Sequence, residues 1–306
     1  MEQLVTEKQP IRILTLDGGG SLGVYTLGVL AELEAALGSP LKNHLGMIFG
    51  TSTGSIIACQ IASEVSVADI YEEYLAIAPD IFGPWTSGGK SSRLSHHAER
   101  TFGDKTFADF DLHVGVVTTD LDYNRPMIFK SNVGQAHGQK ATFKPGFDCT
   151  VAEAVRASCS AYPIFDKCEL ETSVGTKTLV DGGFSANNPA LFSLVDALGP
   201  LGFDRTDIRL CSIGTGVFPV KKHWSQRLGM IDTITTLLGT NANSLDGLRN
   251  LLYGDVPCVR LSAVTVSNQY STNLAETDKK LLRNIYDFGR KSFNGVEDEM
   301  VALFRQ

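Results

Sequence analysis

The stretch Gly50-Thr51-Ser52-Thr53-Gly54 constrains this chain more than any other. An apolar run, Met47-Ile48-Phe49, leads into it, and Ser55-Ile56-Ile57-Ala58-Cys59-Gln60-Ile61-Ala62 follows with the character of a buried helix. The pattern is strand, tight turn, helix, with a serine at the apex. Glycines at 50 and 54 remove the Cβ atoms that would collide in so sharp a bend, so the hydroxyl projects away from the sheet. By itself G-x-S-x-G is a weak signal in a chain with 30 glycines among 306 residues. Its neighbours decide what it means.

The first neighbour lies upstream. Residues 11–16 read as a buried strand and run into Asp17-Gly18-Gly19-Gly20-Ser21-Leu22-Gly23, after which residues 24–37 have apolar positions at helical spacing. Gly18, Gly20 and Gly23 satisfy the dinucleotide-binding pattern G-x-G-x-x-G. That use needs an acidic residue at the end of the second strand to hold the ribose. Here the second strand ends in the serine turn, so the acid is missing. No Gly-Lys-Ser/Thr follows either, which removes the P-loop reading. Three glycines at a helix N-terminus instead offer free backbone N–H donors, aided by the helix dipole, to a negative oxygen. In an ester hydrolase that oxygen is the oxyanion of the tetrahedral intermediate.

The second neighbour lies downstream. Residues 177–180 form an apolar strand that ends at Asp181, before Gly182-Gly183, where an α/β fold presents its site groups. An aspartate in that place also suits a plain turn. Asn187-Asn188-Pro189 then caps a helix to residue 198, and residues 208–213 make one more core strand before Gly214-Thr215-Gly216. Strands at 112–119 and 126–130, and a helix at 151–158, fill the interval. The fold class expected is a three-layer α/β/α sandwich around a mostly parallel sheet, as one domain of 306 residues.

Composition excludes several classes. The net charge of -7 argues against binding DNA or RNA polymers. Residues 1–8 lack the charged and apolar regions of a secretory signal, and no apolar run reaches the roughly 18 residues of a membrane span. A cytoplasmic address is expected. The six cysteines contain no C-x-x-C pair and read as reduced core thiols. His96-His97 point to different faces of any helix, which makes shared metal ligation awkward; they read as solvated surface, and no metal or cofactor is expected. None of the six histidines follows the last strand where a Ser-His-Asp triad needs one, His223 being the nearest.

In that order, Asp17-Gly18-Gly19-Gly20, Gly50-Thr51-Ser52-Thr53-Gly54 and Asp181-Gly182-Gly183 resemble the motifs of patatin-like phospholipases. Ala157-Ser158-Cys159-Ser160-Ala161-Tyr162-Pro163, Ala186-Asn187-Asn188-Pro189 and Gly214-Thr215-Gly216 are similar to secondary motifs of the same family. The resemblance covers residues 11–216, and residues 217–306 match only in being mostly helical. It implies a Ser52/Asp181 dyad acting without histidine on the acyl esters of membrane glycerophospholipids. Gly18, Gly19, Gly20 and Thr53 would form the oxyanion hole, and Gly50 and Gly54 the elbow. Many members carry Arg or Lys before the last glycine of the first motif; this chain has Leu22. Compact bacterial members include antiphage effectors switched on by cyclic nucleotides. The resemblance therefore carries an alternative: a signal-binding effector whose output is regulated membrane degradation.

Two further expectations bear on regulation. Residues 79–93, with Trp85 among glycines and serines, read as a long polar loop in which the indole suits contact with lipid or a partner and equally a packing anchor. Residues 224–238 and 244–253 read as two amphipathic helices, entered by Lys221-Lys222-His223-Trp224, which reads first as an ordinary solvated helix start, although a basic pair beside an indole also suits an anionic lipid interface. The sequence leaves self-association open.

Overall fold

The computed structural model describes residues 10–220 and 226–305. Two strand–turn–helix units open the chain: β1 (Ile11–Leu16) into α1 (Gly23–Leu37), then β2 (Met47–Thr51) into α2 (Thr53–Ala62). α3 (Val67–Phe82) and α4 (Ser87–Phe102) follow. Each starts at a side-chain cap: the Ser66 hydroxyl accepts from the Asp69 N–H, and the Thr86 hydroxyl from the Gly89 N–H. The sheet resumes with β3 (His113–Asp120) and its hairpin partner β4 (Arg125–Lys130). α5 (Val151–Ser158) begins in a capping box between Thr150 and Glu153, and a second hairpin pairs β5 (Cys168–Leu170) with β6 (Lys177–Asp181). One turn of helix, α6 (Gly183–Ala186), precedes α7 (Ala190–Leu198) and β7 (Ile208–Ile213). The chain continues through α8 (Gln226–Tyr253), β8 (Cys258–Leu261), α9 (Lys279–Phe293) and α10 (Glu297–Arg305).

The described strands form one sheet in the order β5-β6-β3-β2-β1-β7-β8, with β4 also paired to β3. β3, β2, β1, β7 and β8 run parallel, and β4 and β6 run against β3. The register around β3 builds the site. β4 pairs with Gly115 through Asp120 and so takes one edge. The other edge is divided: β2 pairs along it as far as Thr51 opposite Val117, and β6 takes over with Asp181 opposite Thr118. Because β2 is parallel to β3 and β6 antiparallel, the two arrive from opposite directions and their C-terminal ends meet.

Both faces of the central strands are covered, so most of their side chains are apolar. Ile11, Ile13, Met47 and Phe49 point to one face, against Leu194 and Ala197 of α7. Leu14, Leu16 and Ile48 point to the other, into the larger core shared with α1, α2, α3, α5 and α9. α1 crosses α9 so closely that a Cβ on Gly28 would lie 2.1 Å from the Tyr286 carbonyl oxygen. By length and composition alone Gly20–Leu37 could cross a membrane, contrary to the expectation that no run is long enough. Its apolarity has another cause: from Val24 to Leu30 every side chain is buried in this core.

Three other expectations are overturned. Residues 79–93 are not a long loop; α3 runs through Pro79 to Phe82 and α4 starts at Ser87. The Thr86 cap and the Lys90 ammonium, which donates to the Pro84 carbonyl, organise the glycine-rich first turn of α4. His97 is not solvated surface: it is buried in α4, its Nε2 2.8 Å from Asp80 Oδ2. The two helices expected at 224–238 and 244–253 are one, α8, whose intervening threonine hydroxyls bond back to carbonyls four residues earlier and leave the helix unbroken. Lys221, Lys222, His223 and Trp224 lie outside the described residues.

Candidate active site

Ser52 is the residue immediately after β2, and its backbone is strained, with φ 52° and ψ −126°. The strain is held by its surroundings. Its N–H donates to Ser158 Oγ at 2.8 Å, and that hydroxyl donates to the Val117 carbonyl at 2.6 Å. The flanking glycines are obligatory. A Cβ on Gly50 would lie 2.3 Å from the Gly54 carbonyl oxygen, and one on Gly54 2.3 Å from that of Leu16. The elbow is thus packed against the end of β1.

The Ser52 hydroxyl donates to Asp181 Oδ2 at 2.6 Å, and both residues are buried. The carboxylate has no freedom to turn. Its Oδ1 accepts from the Gly183 N–H at 2.7 Å, its own N–H donates to the Ser160 carbonyl, and its carbonyl accepts from Thr119 Oγ1. Burial pushes the Asp181 carboxyl up to about 6, while the Ser52 hydroxyl and the Gly183 N–H hold it back. A carboxylate titrating there is a stronger base than an exposed one, and it is still ionised at neutral pH.

The glycine turn stands beside this pair. A Cβ on Gly18 would lie 2.9 Å from Ser52 Cβ, so the turn touches the serine directly. The Gly18 N–H is not available to a ligand, because it donates to the Asn187 carbonyl at 3.2 Å. Gly18 therefore leaves the set of oxyanion donors expected from the sequence. For the N–H groups of Gly19, Gly20 and Thr53 no acceptor is found among the described residues. Gly20 has φ +55°, and its missing Cβ is replaced by the Leu274 carbonyl, which would stand 2.2 Å away.

Gly20, Ser52, Thr53 and Asp181 line one cavity, whose walls are Ile56 of α2, Ile77, Ile81 and Phe82 of α3, Leu94 of α4 and Phe165. Such a lining suits a hydrocarbon chain. Leu238 of α8 closes it on the Asp181 side, packed over Gly183. Gln60, Glu73 and Thr101 also reach the cavity, bonded to one another.

Sequence reasoning missed several contributors. Asn187, read as a cap, instead clamps Gly18 from both sides, with Nδ2 donating to its carbonyl and its own carbonyl accepting from its N–H; Asn188 alone caps α7. Arg260, on β8, makes a bidentate pair with the buried Asp17, its nitrogens 2.9 and 2.5 Å from the two carboxylate oxygens, directly under the glycine turn. Cys159, taken for a core thiol, lines the cavity wall. Its burial beside Asp181 pushes the thiol far up, so it stays protonated. Tyr74 of α3 reaches the turn itself. Cys159 and Asn187 stand in the Ala157–Pro163 and Ala186–Pro189 segments that resemble family motifs; Tyr74 and Arg260 had no such signal.

The family model for patatin-like phospholipases matches residues 14–193, more than half of the chain. The chain belongs to the patatin-like phospholipase family. It is 41% identical over 295 residues to a cUMP-AMP-activated phospholipase from Escherichia coli, covering 94% of this chain and 92% of that one. A cGAMP-activated phospholipase from Escherichia coli (strain TW11681) is 26% identical over 317 residues, covering 88% and 86%. The fold is similar to that of VipD from Legionella pneumophila, with a TM-score of 0.51 at 12% identity, over 95% of this chain and 67% of that one. The chain is a patatin-like hydrolase of phospholipid esters, with a mixed central sheet between layers of helices.

Proposed function

We propose that Ser52 is the nucleophile and Asp181 the general base of this phospholipase. The observation that carries the reading is the 2.6 Å bond from the Ser52 hydroxyl to the buried Asp181 carboxylate, beside N–H groups that find no acceptor among the described residues. Asp181 takes the hydroxyl proton as Oγ attacks the ester carbonyl carbon, whose oxygen becomes the oxyanion. The Gly19, Gly20 and Thr53 N–H groups receive that charge. The proton then passes to the departing alkoxide, leaving an acyl-enzyme, and water activated by the same carboxylate releases the fatty acid. The acyl chain lies between α2 and α3.

The substrate is taken from a membrane face. Phe184 and Leu237 are exposed beside Leu238, next to the cavity, and supply an apolar rim that suits a bilayer surface. The alternative of a regulated effector is part of the same proposal: a cyclic dinucleotide switches the hydrolysis on. The support is the two bacterial relatives named for such activation, matched over most of their length.

The test is lipid hydrolysis on phosphatidylglycerol/phosphatidylethanolamine vesicles, read by mass spectrometry, with cUMP-AMP, cGAMP or neither. Ser52→Ala is expected to lose at least about 100-fold while staying folded. Full activity in Ser52→Ala would end the assignment of the nucleophile. Equal rates with and without both nucleotides would end the switch but leave the dyad intact.

A further inference from the structure

The glycine turn has to hold its N–H groups toward a charge that exists only in the transition state, yet glycine is the residue least able to hold itself. The Leu22 side chain is buried and has no polar atom, so it offers no side-chain anchor. The anchor found in the structure comes from α3. The Tyr74 hydroxyl, buried in the cavity wall, donates to the Gly20 carbonyl at 2.5 Å and is also hydrogen-bonded to Thr53 Oγ1. A phenol has one proton to give. With that proton on the Gly20 carbonyl, Thr53 Oγ1 is the donor to Tyr74. The result is a chain: Thr53 hydroxyl to Tyr74 hydroxyl to Gly20 carbonyl. Its two ends belong to the two residues that offer N–H groups from opposite sides, one on the glycine turn and one at the start of α2.

A separate observation shows that room is kept for this chain. A Cβ on Gly23 would lie 2.9 Å from the Tyr74 oxygen, 2.9 Å from Thr53 Cγ2 and 3.0 Å from Thr53 Oγ1. The last glycine of the motif is therefore needed to admit the bridge. The Ser21 N–H, donating to the Leu274 carbonyl at 2.8 Å, fixes the far side of the same short segment.

We infer that Tyr74 is a positioning residue for ester hydrolysis: its hydroxyl locks the Gly20 peptide and the first residue of α2 into one oxyanion-binding unit. This rests on the assignment of Ser52 and of the Gly20 and Thr53 N–H groups above. It also ties the wall of the acyl cavity to the chemistry, because Tyr74 sits on the same helix as Ile77 and Ile81.

Tyr74→Phe keeps the ring in its apolar seat and removes only the hydroxyl. Displacing oxyanion donors by a fraction of an ångström is expected to lower kcat about tenfold with KM little changed, and to slow labelling of Ser52 by a fluorophosphonate by a similar factor. Thr53→Val removes the other hydroxyl, retains the N–H, and should reproduce the effect. The double variant should be no slower than the worse single one, since one chain is broken either way. Ser52→Ala in the same assay separates the two levels. If it is active, the underlying assignment fails. If it is dead while Tyr74→Phe and Thr53→Val keep wild-type kcat and labelling rates, this inference alone is overturned. A lower Tm without a change in kcat, or multiplying losses in the double variant, would also overturn it. If Tyr74→Phe does not fold, Thr53→Val decides by the same readouts.

Discussion

The two strand–turn–helix units at the start of the chain are neighbours in the sheet, parallel, and close to equal in register, yet they deliver opposite things. The unit of β2 and α2 puts a side chain at its apex; that of β1 and α1 has only backbone there. At the serine turn the glycines flank the proposed nucleophile and let it be strained. At the glycine turn they replace it, and the proposed functional group is the peptide itself. The difference shows in what holds each turn. Ser52 is held through its carbonyl by the N–H and hydroxyl of Ser55 and through its N–H by Ser158 of α5, whereas the glycines are held by Asn187, Leu274 and Tyr74, with Arg260 on Asp17 beneath. The serine turn takes part of its support from the first turn of its own helix; the glycine turn leans on side chains and carbonyls from other elements.

The largest break in this comparison is expected where the two turns touch. In Gly54→Ala the new Cβ would stand 2.3 Å from the Leu16 carbonyl oxygen and 2.7 Å from that of Asp17, backbone atoms with nowhere to go. Both turns should be displaced together, with hydrolysis falling by more than about 1,000-fold and Tm dropping, because neither the nucleophile nor the amides keep their places. Gly20→Ala strikes the glycine turn alone. Its Cβ meets the Leu274 carbonyl at 2.2 Å from a backbone with φ +55°. Here kcat should fall about 100-fold, while the Ser52–Asp181 contact survives, which a crystal structure of the variant would check. A structure with the hydroxyl and carboxylate parted would show that the turns are not held independently.

The smallest effect sharpens the serine side. The Asp181 carboxyl is raised from its ordinary 3.8 to about 6. The stability linked to its protonation is thus fully present below about 4 and lost as the pH rises through about 6. Asp181→Asn lacks that loss. Its Tm relative to wild type should be higher at pH 8 than at pH 4, measured by thermal scans across the range. The same ionisation should give wild-type kcat/KM an acid limb near pH 6. A limb near 4 would mean that the base is a solvated carboxylate.

What the sequence revealed follows the same division. Ser52, Asp181, Gly50 and Gly54 were legible because the signal is local: a strand, a turn and a helix written in consecutive residues. The sheet was legible for the same reason, down to helix 151–158 and strand 208–213, which match α5 and β7. Tyr74 and Arg260 were not, since nothing near them in the chain says that they end at the glycine turn, and Asn187, though inside the Ala186–Pro189 motif, read as a cap. Gly18 was misassigned because its N–H is consumed by a residue far along the chain. The 79–93 segment misled for a different reason. Pro79 and Gly88-Gly89 carry the composition of a loop, and only tertiary packing of Ile81, Leu94 and Ala98 makes helices of both sides.

The meeting of β2 and β6 along a single edge of β3 has a mechanical corollary. Thr51, the residue before Ser52, and Asp181 are paired with consecutive residues of a third strand, Val117 and Thr118, so the two are joined through the middle of the sheet. No hinge lies between them. In the proposed reading, a signal that leaves the sheet folded leaves this pair armed, and control falls on the threshold: on whether α3, α8 and the turn they brace admit a lipid tail.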